Sequence, residues 1–286
     1  MALEGELRWF AAPGKLNLFL HVLGRIADGP RAGMHELQTV FRLIDRCDRV
    51  GIGVRENGGI RFSGPFGDDN LCAKAARLLK RASGTGKGAD LELQKSLPTA
   101  GGLGGGSSDA ATVLIALNRL WKPGLSKDEL MQIGQQIGAD VPLFVFGRNA
   151  LGEGVGERLT ALDLAPAWYF VLVPQVPVST KEIFADAALT RDAKPLKIPP
   201  FLSGQGRNDL EAIAVRRYPE IAEHLAWLKS QLPEASFAPR MTGSGGCVFA
   251  ELAREADAQA LLARLPGRMQ GFVARGLERH PLHDPD

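Results

Sequence analysis

Short apolar, β-branched runs alternate with clusters of glycine, proline and aspartate over the N-terminal third of the chain. This pattern predicts strands at residues 16–23, 38–44, 49–54 and 89–93. A helix is expected to start at Asp69 or Asn70, whose side chains can cap it, and to end at Gly84. The first part of the chain is therefore predicted to be mostly sheet.

Apolar residues recur at helical spacing further along the chain. One helix is predicted to begin at Ser107 or Ser108, and Ser126 with Glu129 forms a capping box for another over residues 127–137. In the second half we predict strands at residues 168–173 and, through a glycine turn, at 240–251, and helices at residues 180–189, 208–217, 219–232 and 255–265. We expect an α+β fold from these elements, and the length of 286 residues predicts about two domains. We place the boundary in the glycine-rich segment 152–156, giving domains of residues 1–155 and 156–286.

Composition narrows the functional class. With 45% hydrophobic and 23% charged residues, the chain of 286 residues is globular in character. Its net charge of +2 comes from 34 basic and 32 acidic residues spread along the chain, so we expect no nucleic-acid partner. The three cysteines lack disulfide or zinc spacing, and neither an export signal nor a membrane span is visible. We expect a cytoplasmic protein, a monomer or weak homodimer, with no membrane association.

The segment from Lys95 to Asp109 joins a strand end to a glycine-rich turn and then to a helix. Five of the six positions from Gly101 to Gly106 lack a Cβ, so the backbone can approach an anion closely. The helix that follows adds unpaired N–H groups and a partial positive charge. The hydroxyls of Ser107 and Ser108 can donate to phosphate, reach Mg²⁺ or cap the helix. The alternative, a flexible linker, needs no amphipathic helix directly after it, so the pattern favours a phosphate-binding loop.

Two common nucleotide-binding motifs are absent from this loop. It contains no lysine between Thr99 and Asp109, which excludes G-x-x-x-x-G-K-[ST], and its glycine spacing does not give G-x-G-x-x-G. Neither a Walker-A loop nor a Rossmann loop is predicted.

Residues 98–108 resemble the P-x-x-x-G-L-G-G-G-S-S motif of the GHMP kinases. Three other segments agree in the same order: residues 13–18 resemble P-A-K-[IL]-N-L, residues 138–142 match G-A-D-V-P, and residues 241–247 resemble M-T-G-S-G-S-C. Together they are similar to the diphosphocytidyl methylerythritol kinase branch of that superfamily. The resemblance implies a mixed sheet with helices in each domain, an N-terminal ATP-binding domain, a C-terminal substrate-binding domain, and an active site in the cleft between them.

The resemblance also assigns the catalytic pair. It implies that Asp140 contacts the substrate hydroxyl as base and that Lys15 lies beside it. We expect a carboxylate between a helix stop at Gly138 and the apolar residues 141–146 to be partly desolvated, as suits a base. The alternatives are that Asp140 only caps the next helix and that Lys15 is a solvated surface lysine. ATP is the expected co-substrate with Mg²⁺, although no acidic cluster has magnesium-ligand spacing, so the nucleotide is expected to hold most of the metal.

Two sets of binding residues follow from the same resemblance. For ATP they are Asn70, Lys95, Pro98, Thr99, Ala100, Gly101, Gly102, Leu103, Gly104, Gly105, Gly106, Ser107 and Ser108. For the substrate they are Asn17, His35, Phe184, Thr242 and Gly243.

Several of these residues have a simpler interpretation. Asn70 can be only a helix cap, Lys95 a strand-edge charge, His35 an ordinary loop histidine, and residues 241–247 a plain hairpin turn. The family usually has a tyrosine where this chain has Met34, and a serine where it has Gly246. The tyrosine and Phe184 are expected to stack on the two faces of a cytosine ring, so Met34 replaces one aromatic wall with a thioether.

The reaction implied is phosphorylation of the 2-hydroxyl of 4-diphosphocytidyl-2-C-methyl-D-erythritol, a cytidine diphosphate alcohol of the non-mevalonate isoprenoid route. Two alternatives stay open. One is a GHMP kinase for another small alcohol, such as homoserine or a sugar. The other is a catalytically silent nucleotide-binding regulator.

Overall fold

A computed structural model describes residues 6–198, 201, 204–235 and 237–283. The described chain folds into two β-sheets, each covered by helices, which confirms the predicted α+β class. None of the helices in this part of the chain combines the length and apolar character that crossing a bilayer requires.

Within the described residues, the first sheet has six strands and is mixed. Its strands are β1 (Arg8–Arg25), β2 (His35–Arg55), β3 (Ile60–Ser63), β4 (Gly88–Gln94), β5 (Ala150–Gly154) and β6 (Arg158–Ala161). β1 runs antiparallel along one side of β2, while β4 and β5 pair with the other side of β2 at its two ends. β3 is parallel to β4, and β6 forms an antiparallel hairpin with β5. β2 is therefore the central strand.

The sequence pattern divides β2 wrongly into two strands, 38–44 and 49–54. The polar residues between them do not end the strand, because pairing with β1 continues on both sides of them. Pro13 pairs with Cys47 and the next residue, Gly14, pairs with Ile44, so Asp45 and Arg46 form a bulge. The bulge lies directly opposite the start of the Gly14–Lys15 segment.

The described part of the chain up to residue 146 contains the helices α1 (Leu71–Ser83), α2 (Gly105–Trp121), α3 (Lys127–Gln135) and α4 (Val141–Phe146), together with a 3₁₀ turn at Gly67–Asp69. The Asn70 side chain caps α1, and α3 has both hydrogen bonds of the predicted capping box. α2 begins at Gly105, before the predicted start at Ser107, because the left-handed backbone of Gly104 (φ 72°) lets the helix start there.

The strands of the second sheet are β7 (Trp168–Leu172), β8 (Arg240–Met241), β9 (Val248–Leu252) and β10 (Gly271–Arg275). They are antiparallel, in the order β10-β7-β9-β8. The helices of this half are α5 (Thr180–Ala185), α6 (Glu211–Arg217), α7 (Pro219–Gln231) and α8 (Glu255–Ala263). A 3₁₀ turn at Pro281–His283 follows. The sequence pattern missed β3, β5, β6, β10 and α4, which are short.

Two helices of the second half are shorter than predicted. α5 ends before Asp186, whose backbone is extended and whose Oδ1 accepts from Ala188 N to form a local turn. The helix predicted from Asn208 begins at Glu211, because Asn208 forms a β-bridge with Leu20 and its Oδ1 accepts from Leu210 N in a local turn. The predicted strand 240–251 is split into β8 and β9 by the turn 242–247.

Each sheet has its own apolar core, and a third cluster joins them. The joining cluster contains Leu97, directly before the glycine loop of residues 98–106, and Leu103, within that loop, together with Tyr169 and Phe249 of the second sheet. The loop is therefore anchored where the two sheets meet. The predicted domain boundary between residues 155 and 156 falls in the turn of the β5–β6 hairpin and stays a prediction.

Candidate active site

Two cavities lie against the glycine loop, residues 98–106. The larger is about 560 Å³ and the smaller about 340 Å³. Ala100, Gly102, Gly104 and Ser107 line both of them. The loop and the first turn of α2 thus form a wall that two different ligands can share.

The loop needs its glycines for steric reasons. Gly102 has φ 77°, and a Cβ there would lie 2.3 Å from the Thr242 carbonyl oxygen. Gly104 has φ 72°, and a Cβ there would lie 3.0 Å from the Phe144 ring and 3.2 Å from Lys15 Cε. The first N–H groups of α2 have no partner within the helix, as at any helix start. These amides and the helix dipole make the wall attractive to phosphate.

The smaller cavity collects nearly all the residues predicted to bind ATP. It is lined by Asn70, Lys95 and every residue from Pro98 to Ser107. Ser108 does not line it: its side chain is buried, and its Oγ has no hydrogen-bond partner within the described part of the chain. Asn70 both lines the cavity and caps α1, since its Oδ1 accepts a 2.8 Å hydrogen bond from Cys72 N.

Lys95 is not a free strand-edge charge. Its Nζ donates to Asp48 and, over 2.9 Å, to Asp109, which also lines the smaller cavity. Asp48 Oδ1 in turn accepts from Ser96 N at 2.6 Å and from Leu97 N at 2.8 Å, at the entrance to the loop. Burial raises the pKa of Asp109 to about 7, opposed by Lys95 and reinforced by the negative charge of Asp48. The sequence interpretation missed both carboxylates.

Lys15 and Asp140 meet at the larger cavity, where Lys15 Nζ lies 3.6 Å from Asp140 Oδ2. Lys15 is buried, with 4% of its side chain exposed, and its Nζ donates to Asn17 Oδ1 and, over 2.8 Å, to the Gly102 carbonyl. It is therefore not a surface lysine, and it is tied to the glycine loop. Asp140 occupies the N-cap position of α4 but makes no capping hydrogen bond. Its carboxylate, 37% exposed, lines the cavity instead.

The turn 242–247 packs on the glycine loop. Cys247 N donates to Gly101 O at 3.2 Å, and Thr242 Oγ1 accepts from Asn17 N at 2.9 Å. Thr242 itself is buried, whereas Asn17 and Gly243 line the larger cavity. The turn is therefore more than a plain hairpin, since it joins the second sheet to the loop and to β1. Burial raises the pKa of the Cys247 thiol to about 12, which makes it a poor nucleophile.

Two rings, His35 and Phe184, stand together in the wall of the larger cavity. Their centroids are 5.0 Å apart with the planes tilted by 35°. Met34 also lines the cavity and has 45% of its surface exposed. Burial lowers the pKa of His35, and the positive charges of Arg191 and Arg25 lower it further. Arg191, whose Nε donates to His35 Nε2 at 3.0 Å, gave no signal in the sequence.

No group of three or more His, Cys, Asp or Glu residues suited to a metal ion occurs within residues 6–198, 201, 204–235 and 237–283. Asp140 and Ser107 nevertheless place a carboxylate and a hydroxyl, both hard oxygen ligands, in the wall of the larger cavity. Mg²⁺ is commonly held by one or two such groups together with substrate phosphates. The residues present therefore fit a magnesium ion that arrives with a nucleotide.

Known proteins share this chain's family, length and fold. The GHMP kinases N terminal domain model matches residues 70–148, and the GHMP kinases C terminal model matches residues 184–270. The chain is 53% identical over 277 residues to the 4-diphosphocytidyl-2-C-methyl-D-erythritol kinase of Nitrosospira multiformis, covering 96% of this chain and 92% of that one. It is also 53% identical over 279 residues to the protein of the same name from Thiobacillus denitrificans, covering 96% and 97%.

A solved structure agrees with these relatives. The crystal structure of a 4-(cytidine 5'-diphospho)-2C-methyl-D-erythritol kinase superposes with a TM-score of 0.79 at 34% identity, covering 94% of this chain and 100% of that one. With the glycine loop, the lysine–carboxylate pair and these matches together, the chain belongs to the GHMP kinase family, in its 4-diphosphocytidyl-2-C-methyl-D-erythritol kinase branch.

Proposed function

We propose that this protein transfers the γ-phosphate of ATP to the 2-hydroxyl of 4-diphosphocytidyl-2-C-methyl-D-erythritol. The observation that carries the proposal is the shared wall: the same loop residues line a cavity suited to a nucleotide and a cavity that holds a lysine–carboxylate pair. A phosphate held at that wall is reachable from both sides. The larger cavity takes the alcohol and the smaller one the adenosine.

The glycine loop has the phosphate-binding role. Backbone N–H groups of the loop and of the α2 start donate to the β- and γ-phosphate oxygens, which needs no side chain and no lysine within the loop. Because these donors are fixed before the nucleotide binds, they stabilise the charge that spreads over the transferred phosphoryl group at little reorganisation cost.

Lys15 and Asp140 act on the acceptor. The substrate hydroxyl oxygen attacks the γ-phosphorus, the bond from that phosphorus to the β–γ bridging oxygen breaks, and Asp140 takes the hydroxyl proton as ADP leaves. Lys15 is held by Asn17 and Gly102, so its ammonium stays directed at the carboxylate and the incoming phosphate. Burial of the ammonium strengthens this interaction.

Mg²⁺ bound with the nucleotide supplies neutralisation of the phosphate charge in such reactions. Ser107 and Asp140 are the residues of this chain that would hold it beside the nucleotide.

The His35–Phe184 ring pair favours the cytidine alcohol over homoserine or a simple sugar. A pyrimidine base offers a flat apolar face and a hydrogen-bonding edge, and the pair provides a ring to stack on and a nitrogen to pair with. A small aliphatic alcohol would leave this part of the cavity wall unused.

A coupled ATP-consumption assay with the cytidine substrate, homoserine, mevalonate and galactose as acceptors tests the proposal. We expect turnover only with the cytidine substrate. For Asp140→Asn we expect a fall in kcat on the order of 10²–10⁴-fold, the usual contribution of a positioned base. Lys15→Ala is expected to lose activity comparably.

Asp163→Asn, at a carboxylate with 95% of its side chain exposed, is the matched control and should leave kcat unchanged. Preferred turnover of another acceptor would replace the substrate assignment. ATP binding without transfer to any acceptor would favour the silent-regulator alternative.

A further inference from the structure

One guanidinium, that of Arg191, holds both members of the His35–Phe184 ring pair. Its Nε donates to His35 Nε2 at 3.0 Å, and its Nη2 donates to the backbone carbonyl of Phe184 at 3.0 Å and to that of Asp186 at 2.8 Å. Nη1 donates to the Leu189 carbonyl at 3.1 Å. The side chain thus ties the end of α5 to the start of β2, across the wall of the larger cavity.

These contacts determine the tautomer of His35. An arginine side chain has only N–H donors and stays protonated in proteins, so the nitrogen that receives it must carry a lone pair. Nε2 is that nitrogen, and Arg25 Nε points at the same atom from 3.5 Å. A neutral imidazole with a lone pair on Nε2 has its proton on Nδ1.

A second proton on the ring is disfavoured as well. Burial and the two neighbouring guanidinium charges lower the pKa of His35, which keeps the ring neutral at physiological pH. Within the described ranges, no residue forms a hydrogen bond with Nδ1. The ring therefore has one N–H donor left for a ligand.

We propose that Arg191 is a positioning residue that holds His35 as the Nδ1–H tautomer, so that the ring donates a hydrogen bond to an acceptor on the pyrimidine base. This inference rests on the proposed function. Cytosine presents two adjacent acceptors, O2 and N3, and a histidine nitrogen with a lone pair there would repel either of them. By fixing the carbonyl of Phe184 with the same guanidinium, Arg191 also keeps the stacking ring in place beside the donor.

The tautomer is tested first on the wild-type full-length protein, by ¹⁵N NMR of its imidazole nitrogens, with the His35 signals assigned from their loss in His35→Gln. We expect His35 in the neutral Nδ1–H form without any ligand. An Nε2–H tautomer, or rapid exchange between the two, overturns the inference whatever the kinetics show.

Kinetics of Arg191→Met test the consequence. We expect the KM for the cytidine substrate to rise about tenfold or more, the equivalent of one lost hydrogen bond, with kcat and the KM for ATP changing less than about threefold. Arg191→Lys should restore part of the affinity, since an ammonium also only donates. Arg264→Met, at an exposed arginine bonded to Ala260 O, is the control and should change neither KM.

The two hypotheses fail separately. Wild-type protein that does not phosphorylate the cytidine substrate contradicts the proposed function, while the NMR result still decides the tautomer. Active wild-type protein with an unchanged KM in Arg191→Met, and a folded state verified by an unchanged KM for ATP, contradicts the role of Arg191.

Discussion

A single ammonium, Lys95, is shared by two buried carboxylates beneath the glycine loop. Asp48 has the closer contact and two backbone N–H donors as well, whereas Asp109 has one oxygen, Oδ1, with no hydrogen-bond partner in the described part of the protein. Burial, with one oxygen lacking a donor, raises the pKa of Asp109 to about 7, so this carboxyl takes up a proton near neutral pH. The cluster fixes the segment that enters the loop, because Asp48 binds the amides of residues 96 and 97.

The raised pKa of Asp109 predicts a particular dependence of stability on pH. An aspartate in the unfolded chain has a pKa of about 3.9, and Asp109 in the folded chain has a pKa of about 7. Between these values the folded protein holds a proton that the unfolded protein has released, so its free energy of unfolding falls as pH rises from about 4 to about 7. Asp109→Asn removes this contribution. The free energy of unfolding of Asp109→Asn minus that of wild type should therefore be higher at about pH 8 than at about pH 5, by an amount on the order of 2 kcal/mol.

Urea unfolding of both proteins at the two pH values measures this difference. Asp163→Asn, at an exposed carboxylate, should track wild type at both. A constant gap between Asp109→Asn and wild type would show that Asp109 is ionised throughout this range.

The sequence predicts functional residues where they lie in a short, recognisable sequence motif. The loop glycines lie in a motif whose anion-binding role follows from backbone geometry, and Lys15 and Asp140 lie in short segments that resemble family motifs. Asp48 and Arg191 do not, because their partners lie 47 and 156 positions away in the chain. Contacts of that range depend on strand pairing that no local spacing encodes.

At the scale of elements, the start of α2 is the feature on which the site depends. The sequence suggests a start at the serines, since serine is a good N-cap residue. The helix instead begins at Gly105 behind the left-handed Gly104, which brings its first amides to the loop wall shared by both cavities. Similarly, β2 is continuous because a bulge accommodates its polar residues. Periodicity identified these elements, but their ends were set by backbone conformations available to glycine and by tertiary pairing.

Two glycine substitutions separate the steric role of the loop from its amides. Gly104→Ala places a Cβ on a left-handed backbone, at a cost of about 1–2 kcal/mol, and 3.2 Å from Lys15 Cε. We expect a raised KM for ATP and a kcat reduced on the order of tenfold or more through displacement of Lys15. Steady-state kinetics and thermal melts measure both effects.

Gly106→Ala is the matched control on the same loop. Its Cβ would be 3.5 Å from Leu71 Cδ1, an ordinary contact, and alanine favours the helix by about 0.5–1 kcal/mol. It should keep activity and melt slightly higher than wild type. Equal kinetic losses in the two variants would mean that the strained position of Gly104 is not what matters.

For the whole molecule, function requires that the two sheets keep their relative position on either side of the glycine loop. Arg240 Nη1 donates to Leu18 O at 3.2 Å and to Gly206 O at 2.7 Å, and Thr242 joins the end of β8 to Asn17. The two-domain kinase architecture was implied by the resemblance of four segments, in the same order, to family motifs. The manner of joining was not, since it depends on buried polar contacts between segments more than 200 residues apart in sequence, such as the 225 positions between Asn17 and Thr242.

Thr242→Val tests this joint with almost no change in side-chain shape. Thr242 is fully buried, and valine removes the oxygen that accepts from Asn17 N, leaving that N–H unsatisfied at a cost of about 1–3 kcal/mol. Because Asn17 also holds Lys15, we expect a lower kcat together with the lower unfolding free energy, measured by turnover and urea unfolding. Thr160→Val, on the exposed β6 strand, should stay within about 0.5 kcal/mol of wild type. A destabilised Thr242→Val variant with unchanged kcat would mean that the joint supports the fold but does not position Lys15.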